Sequence, residues 1–198
     1  MANADLASGF KAVQNAFGGT PGRLNEYPLA TAYGTAIGYG DIVKLVADGS
    51  VELAGATDPY IGIFQGVQYV ASDGSIVFRK NWIASTAEKS GTTIKALVCD
   101  DPGATYEVIA DTSTTQASVG QFANLVASAV DANGNSTMSV VHGASEVQFI
   151  ISKLITGKPV RNAAGNPDLS TTGTYSIVHV RPVMHQLGGN TASEIAEI

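Results

Sequence analysis

The sequence predicts an all-β protein: a small β-barrel or sandwich of short antiparallel strands, with a short helical N-terminal arm and a long loop near the C-terminus. Three observations lead to this prediction. Short apolar runs rich in β-branched and aromatic residues recur from Tyr27 onward. Turn signals built from Gly, Asp, Asn and Pro separate these runs. The charged content is only 14%, and 22 glycines suit tight turns better than helices.

Residues 1–26 form the predicted N-terminal arm. Four apolar residues follow the i, i+4, i+7, i+11 spacing of one helical face: Leu6, Phe10, Val13 and Phe17. Gly18-Gly19 then ends the pattern, and a Gly/Pro linker follows. A helix of about 12 residues is marginal alone in water, so the apolar face must pack on something. It packs either on its own body or on a neighbouring subunit, and in the second case these four are interface residues.

Residues 27–187 form the predicted β body. Its candidate strands are 30–37, 42–46, 51–54, 61–70, 75–83, 93–99, 105–109, 122–126, 138–141, 147–155 and 175–183. The clearest hairpin turns at Asp73-Gly74, where Gly supplies the positive φ of a tight turn. We expect Ile76, Phe78 and Trp82 to share one face of its second strand.

Two segments near the C-terminus interrupt the β pattern. Residues 156–173 are long, polar and rich in Gly, Pro and Asn, which predicts an exposed loop. Such a loop either carries contacts in an assembly, through residues such as Lys158 and Arg161, or is simply solvated. Residues 188–198 are predicted to be a flexible tail.

Two phrases in the body resemble each other, Gly-Asp-Ile-Val at 40–43 and Gly-Gln-Phe-Ala-Asn-Leu-Val at 120–126. In each, a glycine and a polar residue precede an apolar strand. The repetition indicates either an internal duplication or similar turn chemistry that arose independently. Independent turn chemistry is the favoured interpretation.

Composition argues against several classes of protein. The formal net charge of −6 disfavours a nucleic-acid partner. The sequence contains no apolar run of 18 residues, so we expect no membrane span. The N-terminus lacks the basic start and apolar stretch of a secretory signal, so we expect synthesis in a cytoplasm. The single cysteine, Cys99, lies in an apolar run and is expected to be buried and inert.

The residue types that could take part in catalysis or metal binding do not form a recognisable catalytic or metal-binding motif. His142, His179 and His185 are expected to be structural or interface residues, because neither their spacing nor their neighbours fit a metal site. Asp101 with Glu107 fits a glycosidase pair only if other groups assemble around them. The run at 131–135 departs from calcium-loop spacing and is expected to be a turn. The sequence predicts no enzyme, cofactor or metal.

Part of the body resembles structural proteins of tailed bacteriophages. The resemblance is carried by the residues 27–37, 40–45, 61–69 and Asp100-Asp101-Pro102, and it covers roughly residues 27–126. It is closest to capsid decoration, or cement, proteins. The N-terminal arm and the loop at 156–173 lie outside it. The family transfers no catalytic residues to this chain.

The resemblance implies a non-enzymatic β protein on the outer surface of an assembled head, where it stabilises capsomer junctions, often as a homotrimer. Its expected partners are the major capsid protein and copies of itself, its expected location is the virion, and the host cytoplasm is where it would be made. Two alternatives remain open. One is another virion component, such as a tail, connector or host-surface adhesin; the other is a glycan hydrolase that uses Asp101 and Glu107.

Overall fold

A computed structural model describes residues 9–15, 18–19, 23–143, 147–161, 167–169, 172–173 and 175–188. This part of the chain consists of short strands and one 3-10 turn at Gln116–Ser118. The strands are β1 (Lys11–Gln14), β2 (Asn25–Leu29), β3 (Ile42–Leu45), β4 (Val51–Leu53), β5 (Gly62–Val70), β6 (Ile76–Arg79), β7 (Ile94–Cys99), β8 (Thr105–Ala110), β9 (Phe122–Val126), β10 (Ser139–His142), β11 (Phe149–Ile155), β12 (Pro159–Arg161), β13 (Pro167–Leu169) and β14 (Ser176–Pro182). The predicted all-β class is confirmed.

The strands of the body close two separate rings. In the first barrel, β2, β4, β3, β5 and β7 are hydrogen-bonded in that order and β7 returns to β2, while β6 extends the edge of β5. In the second barrel, β8, β10, β9, β11 and β14 close in the same way, and β1 adds to β8. The first strand of the chain therefore belongs to the second barrel.

The two barrels have the same topology. In each, the first strand pairs in parallel with the third, and the third pairs antiparallel with the second. The second then pairs with the fourth, the fourth with the fifth, and the fifth with the first, all antiparallel. A shared order of five strands, including the same single parallel contact, makes the barrels topological copies.

The strand registers also coincide. Leu29 pairs with Val51 in the first barrel, and Ala110 pairs with Val140 at the equivalent place in the second. A β-bulge interrupts β5 between Phe64 and Gly66, and one interrupts β11 between Ile151 and Lys153 at the matching position. Bulges re-aim a strand at a defined point, so their coincidence is a further match of the two folds.

The two glycine phrases noted in the sequence occupy equivalent corners. The Gly40 N–H donates to the carbonyl of Phe64 at 2.9 Å, and the Gly120 N–H donates to that of Ile151 at 2.8 Å. The φ angles of the two glycines are +94° and +92°, a region that favours glycine. With topology, register and bulge all shared, these corners favour internal duplication over independent turn chemistry.

The first barrel has its own core, and the core of the second barrel continues into the junction between the two. Phe10 stacks on Phe149 with ring centroids 5.2 Å apart, and Phe149 stacks on Tyr60 at 4.7 Å. All three side chains are fully buried. Phe10 precedes β1, Tyr60 lies just before β5 of the first barrel, and Phe149 begins β11 of the second. The stack therefore connects the N-terminal segment with both barrels.

Gln148 connects the barrels through hydrogen bonds beside this stack. Its Nε2 donates to the carbonyls of Gly55 and Asp58 in the first barrel, at 2.9 and 2.7 Å. Its Oε1 accepts from the Leu125 N–H in the second barrel at 2.7 Å. Because Gln148 is completely buried, these bonds satisfy an amide that would otherwise be costly to bury.

The predicted helix of the N-terminal arm is wrong in the residues that the structure describes. Lys11–Gln14 is a strand, paired antiparallel with the edge of β8. The Phe10 N–H donates to the Gly40 carbonyl at 2.9 Å, which holds the segment extended. An open strand edge supplies backbone partners along the whole segment, whereas the short helix would have stood alone. Leu6 and Phe17 lie outside the described residues.

Other boundaries differ in smaller ways. The strand expected at 30–37 lies earlier, as β2, and only Ile37 keeps a bridge, to Trp82. Within the expected loop at 156–173, β12 and β13 form a two-stranded ladder. Of the expected tail at 188–198, residues 189–198 lie outside the described part.

We expect Phe10→Ala to lower the free energy of unfolding by about 3–5 kcal/mol, the usual cost of removing a buried aromatic ring. Val13→Ala, three residues along the same segment but 37% exposed, is the control and should cost less than about 1 kcal/mol. Urea unfolding of both variants measures the difference. Equal losses would mean that Phe10 does not join the barrels in solution.

A second prediction concerns Tyr27, whose hydroxyl donates to Asp100 Oδ2 at 2.5 Å. Burial and the Asp100 carboxylate raise the pKa of Tyr27 to about 12. Tyr27→Phe should cost about 1–2 kcal/mol at neutral pH, because a bond to a charged acceptor is lost. A raised folded pKa gives stability that is complete below pH 10 and lost as the pH approaches 12, so the difference from wild type should shrink over that window.

Urea unfolding between pH 7 and 12 tests the prediction for Tyr27. Tyr39→Phe, at a partly exposed position, is the control and should remain within about 0.5 kcal/mol of wild type at neutral pH. A cost for Tyr27→Phe that is independent of pH up to 12 would contradict the assignment.

Candidate functional site

Of the apolar residues predicted to form the interface of the arm, the structure describes Phe10 and Val13, and the two differ in burial. Phe10 is buried within its own chain, while Val13 lies on β1 and is 37% exposed. Val13 lies at a β-bulge between Ala12 and Gln14. For Phe10, contact with its own body is what the structure shows, and an interface role for Val13 stays a prediction.

Lys158 belongs to a charged cluster on the outside of the second barrel. Its Nζ forms an ion pair with the carboxylate of Glu107, which is only 12% exposed. Glu107 on β8 is the cross-strand partner of His179 on β14, and the His179 Nε2 lies 3.8 Å from Glu107 Oε2. Lys158 comes immediately before β12, so this ion pair fixes the start of the β12–β13 ladder. Arg161 lies at the end of β12.

The environment of His179 keeps its imidazole neutral at physiological pH. Burial lowers the pKa of His179, and the charges of Lys153 and Lys158 lower it further. The carboxylate of Glu107 acts in the opposite direction and raises the pKa. The imidazole therefore responds to the charge state of both Glu107 and its lysine partner.

Basic and neutral polar groups surround a groove beside this cluster. Lys153 is the cross-strand partner of His179, and Arg181 lies two residues farther along β14. The groove has a volume of about 320 Å³ and is also lined by Gln14, Asn15, Gly103, Thr105 and Ser152. Ammonium and guanidinium groups donate charge-assisted hydrogen bonds to carboxylate or phosphate oxygens. The face is therefore suited to contact acidic groups, although the net charge of the chain is −6.

A second surface lies on the first barrel, along β6. Ile76 and Phe78 are 65% and 67% exposed, while Trp82 is buried in the first core. The prediction that the three share one face is therefore wrong, because β6 ends at Arg79 and Trp82 bridges to Ile37. One feature of the sequence is consistent with the exposure of Ile76 and Phe78: charged residues follow directly after the run Ile76-Val77-Phe78. Alternation alone does not indicate which face is buried.

The residues considered for catalysis have structural contacts. Asp101 Oδ1 accepts the Gly103 N–H at 2.8 Å within a turn. Asp131 accepts from the N–H groups of Asn133 and Asn135, as in a turn. Cys99 is buried, and burial raises the pKa of its thiol. Across the described residues, no group of three or more His, Cys, Asp or Glu is placed to hold a metal ion.

The other two histidines lie at the edges of the cores. His142 Nδ1 lies 2.9 Å from Gln121 Oε1, and its Nε2 lies 3.2 Å from the hydroxyl of Thr114. His185 is buried against Tyr60, with ring centroids 5.7 Å apart. Burial lowers the pKa of His185. Both rings pack among neighbours of their own chain.

Comparison with known proteins adds no relative. No family model, no curated protein and no solved structure matches this chain. Among the described residues, no helix combines the length and apolar character needed to cross a membrane. Two surfaces of the fold are suited to contact other molecules: the charged cluster around Glu107 and the apolar pair Ile76 and Phe78 on β6.

We expect Glu107→Gln to lower the pKa of His179 further, because the substitution removes the one charge that raises it. Glu26→Gln, which breaks the ion pair with Lys95 on the first barrel, is the matched control and should leave His179 unchanged. NMR titration of the His179 imidazole measures both. An unchanged or higher pKa in Glu107→Gln would show that the cluster does not form in solution.

Proposed function

We propose that this chain is a bacteriophage capsid decoration protein. In this proposal it binds the outer surface of the assembled head, as a homotrimer, and stabilises the junctions between capsomers. Its partners are the major capsid protein and copies of itself. It is made in the host cytoplasm and functions on the virion.

The observation that carries the proposal is the exposure of Ile76 and Phe78 in a chain whose two barrels each have a complete core. A chain of this size has enough interior to bury two such side chains, so their position on the surface calls for another explanation. Contact with a further protein surface provides one. The resemblance of residues 27–126 to decoration proteins supplies the kind of surface.

The roles of the polar groups also support the proposal. Asp101, Asp131 and Gln148 are used in turns and in the barrel junction. The charged cluster of the second barrel instead presents Lys153 and Arg181 around a groove. Basic side chains in this position suit carboxylates on a neighbouring protein. A scaffold with complementary patches is what a clamp between capsomers requires.

The physical mechanism follows from linkage. A protein that binds only the closed lattice stabilises it by the binding free energy that is lost when the lattice opens. A trimer multiplies weak contacts, because once one subunit is bound the other two bind at high effective concentration. Rigid barrels suit this role, since they lose little conformational entropy on binding.

The test uses heads assembled from the major capsid protein encoded in the same genome as this chain. We expect the chain to co-sediment with assembled heads but not with free capsid subunits, and decorated heads to rupture at a higher temperature than bare heads. Lys158→Glu combined with Arg161→Glu should weaken binding, and Lys89→Glu, an exposed lysine on the first barrel, is the control.

Equal rupture temperatures for bare and decorated heads would remove the mechanism. Localisation of a few copies at one vertex would instead indicate a connector or tail component. Loss of head binding in the Lys89→Glu control as well would show that general charge, and not the charged cluster, controls the association.

A further inference from the structure

The strand β6 presents an open edge and an apolar face at the same place. It is the last strand in its sheet, and no described strand pairs with its outer edge. Ile76 and Phe78 project from the same side and are two-thirds exposed. Natural proteins usually protect such an edge with charges, prolines or a covering segment, because it can pair with another strand. This edge is unprotected along its apolar residues.

The backbone phase of β6 determines which groups are available for pairing. The carbonyl of Ser75 accepts the Ala71 N–H at 2.8 Å, so Ser75 faces β5. Residues alternate along an antiparallel strand, and Val77 and Arg79 therefore also face β5. The N–H and C=O groups of Ile76 and Phe78 are directed at the open edge. The residues with exposed apolar side chains are thus also the ones with available backbone groups.

We infer that β6 pairs antiparallel with β6 of a second copy of the chain, about a two-fold axis at Val77. In this register Ile76 lies opposite Phe78 of the second copy, and Phe78 lies opposite its Ile76. Both are hydrogen-bonded pairs, which matches the backbone phase. The four apolar side chains then form one cluster on one face of a continuous sheet.

Neighbouring registers are worse by the same criteria. A shift that places Phe78 opposite itself sets Ile76 against Lys80, and a shift that places Ile76 opposite itself sets Phe78 against Gly74. A shift by an odd number of residues would place residues whose N–H and C=O groups point to the open edge opposite residues whose groups point to β5. Only the axis at Val77 satisfies both the backbone and the apolar side chains.

Charge complementarity also favours a second copy as the partner. In the chosen register, Arg79 lies opposite Ser75 of the second copy. Asp73, in the turn before β6, holds its carboxylate beside Ser75, because its Oδ1 accepts from the Ser75 N–H and hydroxyl. The long Arg79 side chain of one copy can therefore form an ion pair with Asp73 of the other. The two-fold axis forms this ion pair twice, so the edge is complementary to itself.

The β6 contact assigns the exposed pair Ile76 and Phe78, which also carries the proposed function, to a second copy of the chain, and the mass of the free protein separates the two proposals. A two-fold contact through β6 cannot be part of a three-fold ring, because the symmetry operators differ. If both hold, the free protein forms hexamers of two trimers. If only the β6 contact holds it forms dimers, and if only the trimer holds it forms trimers.

Sedimentation equilibrium of the full chain tests the inference. We expect an even number of chains for wild type, and half that number for Phe78→Lys, with the association weakened more than about tenfold because two apolar pairs are lost and a charge is introduced. Phe122→Lys, at an exposed phenylalanine of the second barrel, is the matched control and should keep the wild-type mass. At protein concentrations too low for association, the unfolding temperature of Phe78→Lys should equal that of wild type, since the side chain is largely exposed in the single chain.

Cysteine cross-linking tests the register. A mixture of Ile76→Cys and Phe78→Cys chains should form a disulfide rapidly, because opposed residues in a hydrogen-bonded pair have Cα atoms about 5.5 Å apart. Either variant alone should cross-link far more slowly, and the native Cys99 is buried. A monomeric or trimeric wild type, a mass unaffected by Phe78→Lys, or equal cross-linking in all mixtures would each overturn the inference.

Discussion

The contact between the two barrels is the constraint on which the rest of the structure depends. Phe10, Phe149 and Tyr60 stack in one buried column, and Gln148 satisfies carbonyls of the first barrel and an amide of the second. Stacked aromatic pairs contribute about 0.5–1.5 kcal/mol each beyond the area that they bury. Because Phe10 comes from the N-terminal segment, β1 is held against the second barrel, and the chain crosses the junction before the first barrel begins. The relative placement of every exposed surface follows from this arrangement.

The two barrels share a topology but have diverged where they meet. The register places Gly62 of the first barrel at the position of Phe149 in the second. A side chain at Gly62 would approach the Cys99 carbonyl to 2.1 Å, whereas Phe149 has space to stack on Tyr60 and Phe10. In the same way, Ile42 is buried in the junction while its counterpart Phe122 is 37% exposed. These differences arise from the packing of the two barrels of one chain against each other, and not from the closure of each barrel.

Local patterns in the sequence predicted much of the fold, and the errors have a common cause. The hairpin at Asp73-Gly74 and most body strands follow from alternation and turn residues, which act over a few positions. The closure of two rings does not, because it depends on contacts such as β14 with β8 across about 70 residues. The arm was misassigned for the same reason: Phe10 and Val13 have helical spacing, but the edge of β8 was not visible in the sequence. For Lys158 the sequence predicts either an assembly contact or a solvated position, whereas its ion pair with Glu107 of the same chain follows only from the fold.

Barrel closure explains why so little of the chain is open to association through its backbone. A closed ring has no edge strand: β2–β5, β7–β11 and β14 each pair with at least two neighbouring strands of the chain. The strands added outside the rings are the places where an edge persists, and β6 is one of them. β6 exposes Ile76 and Phe78 beside Arg79, while the added strand β1 exposes Lys11, Val13 and Gln14. Charged and polar residues discourage pairing at an edge, and apolar residues favour it. The open backbone edge of β6 therefore coincides with two apolar side chains that are about two-thirds exposed, Ile76 and Phe78.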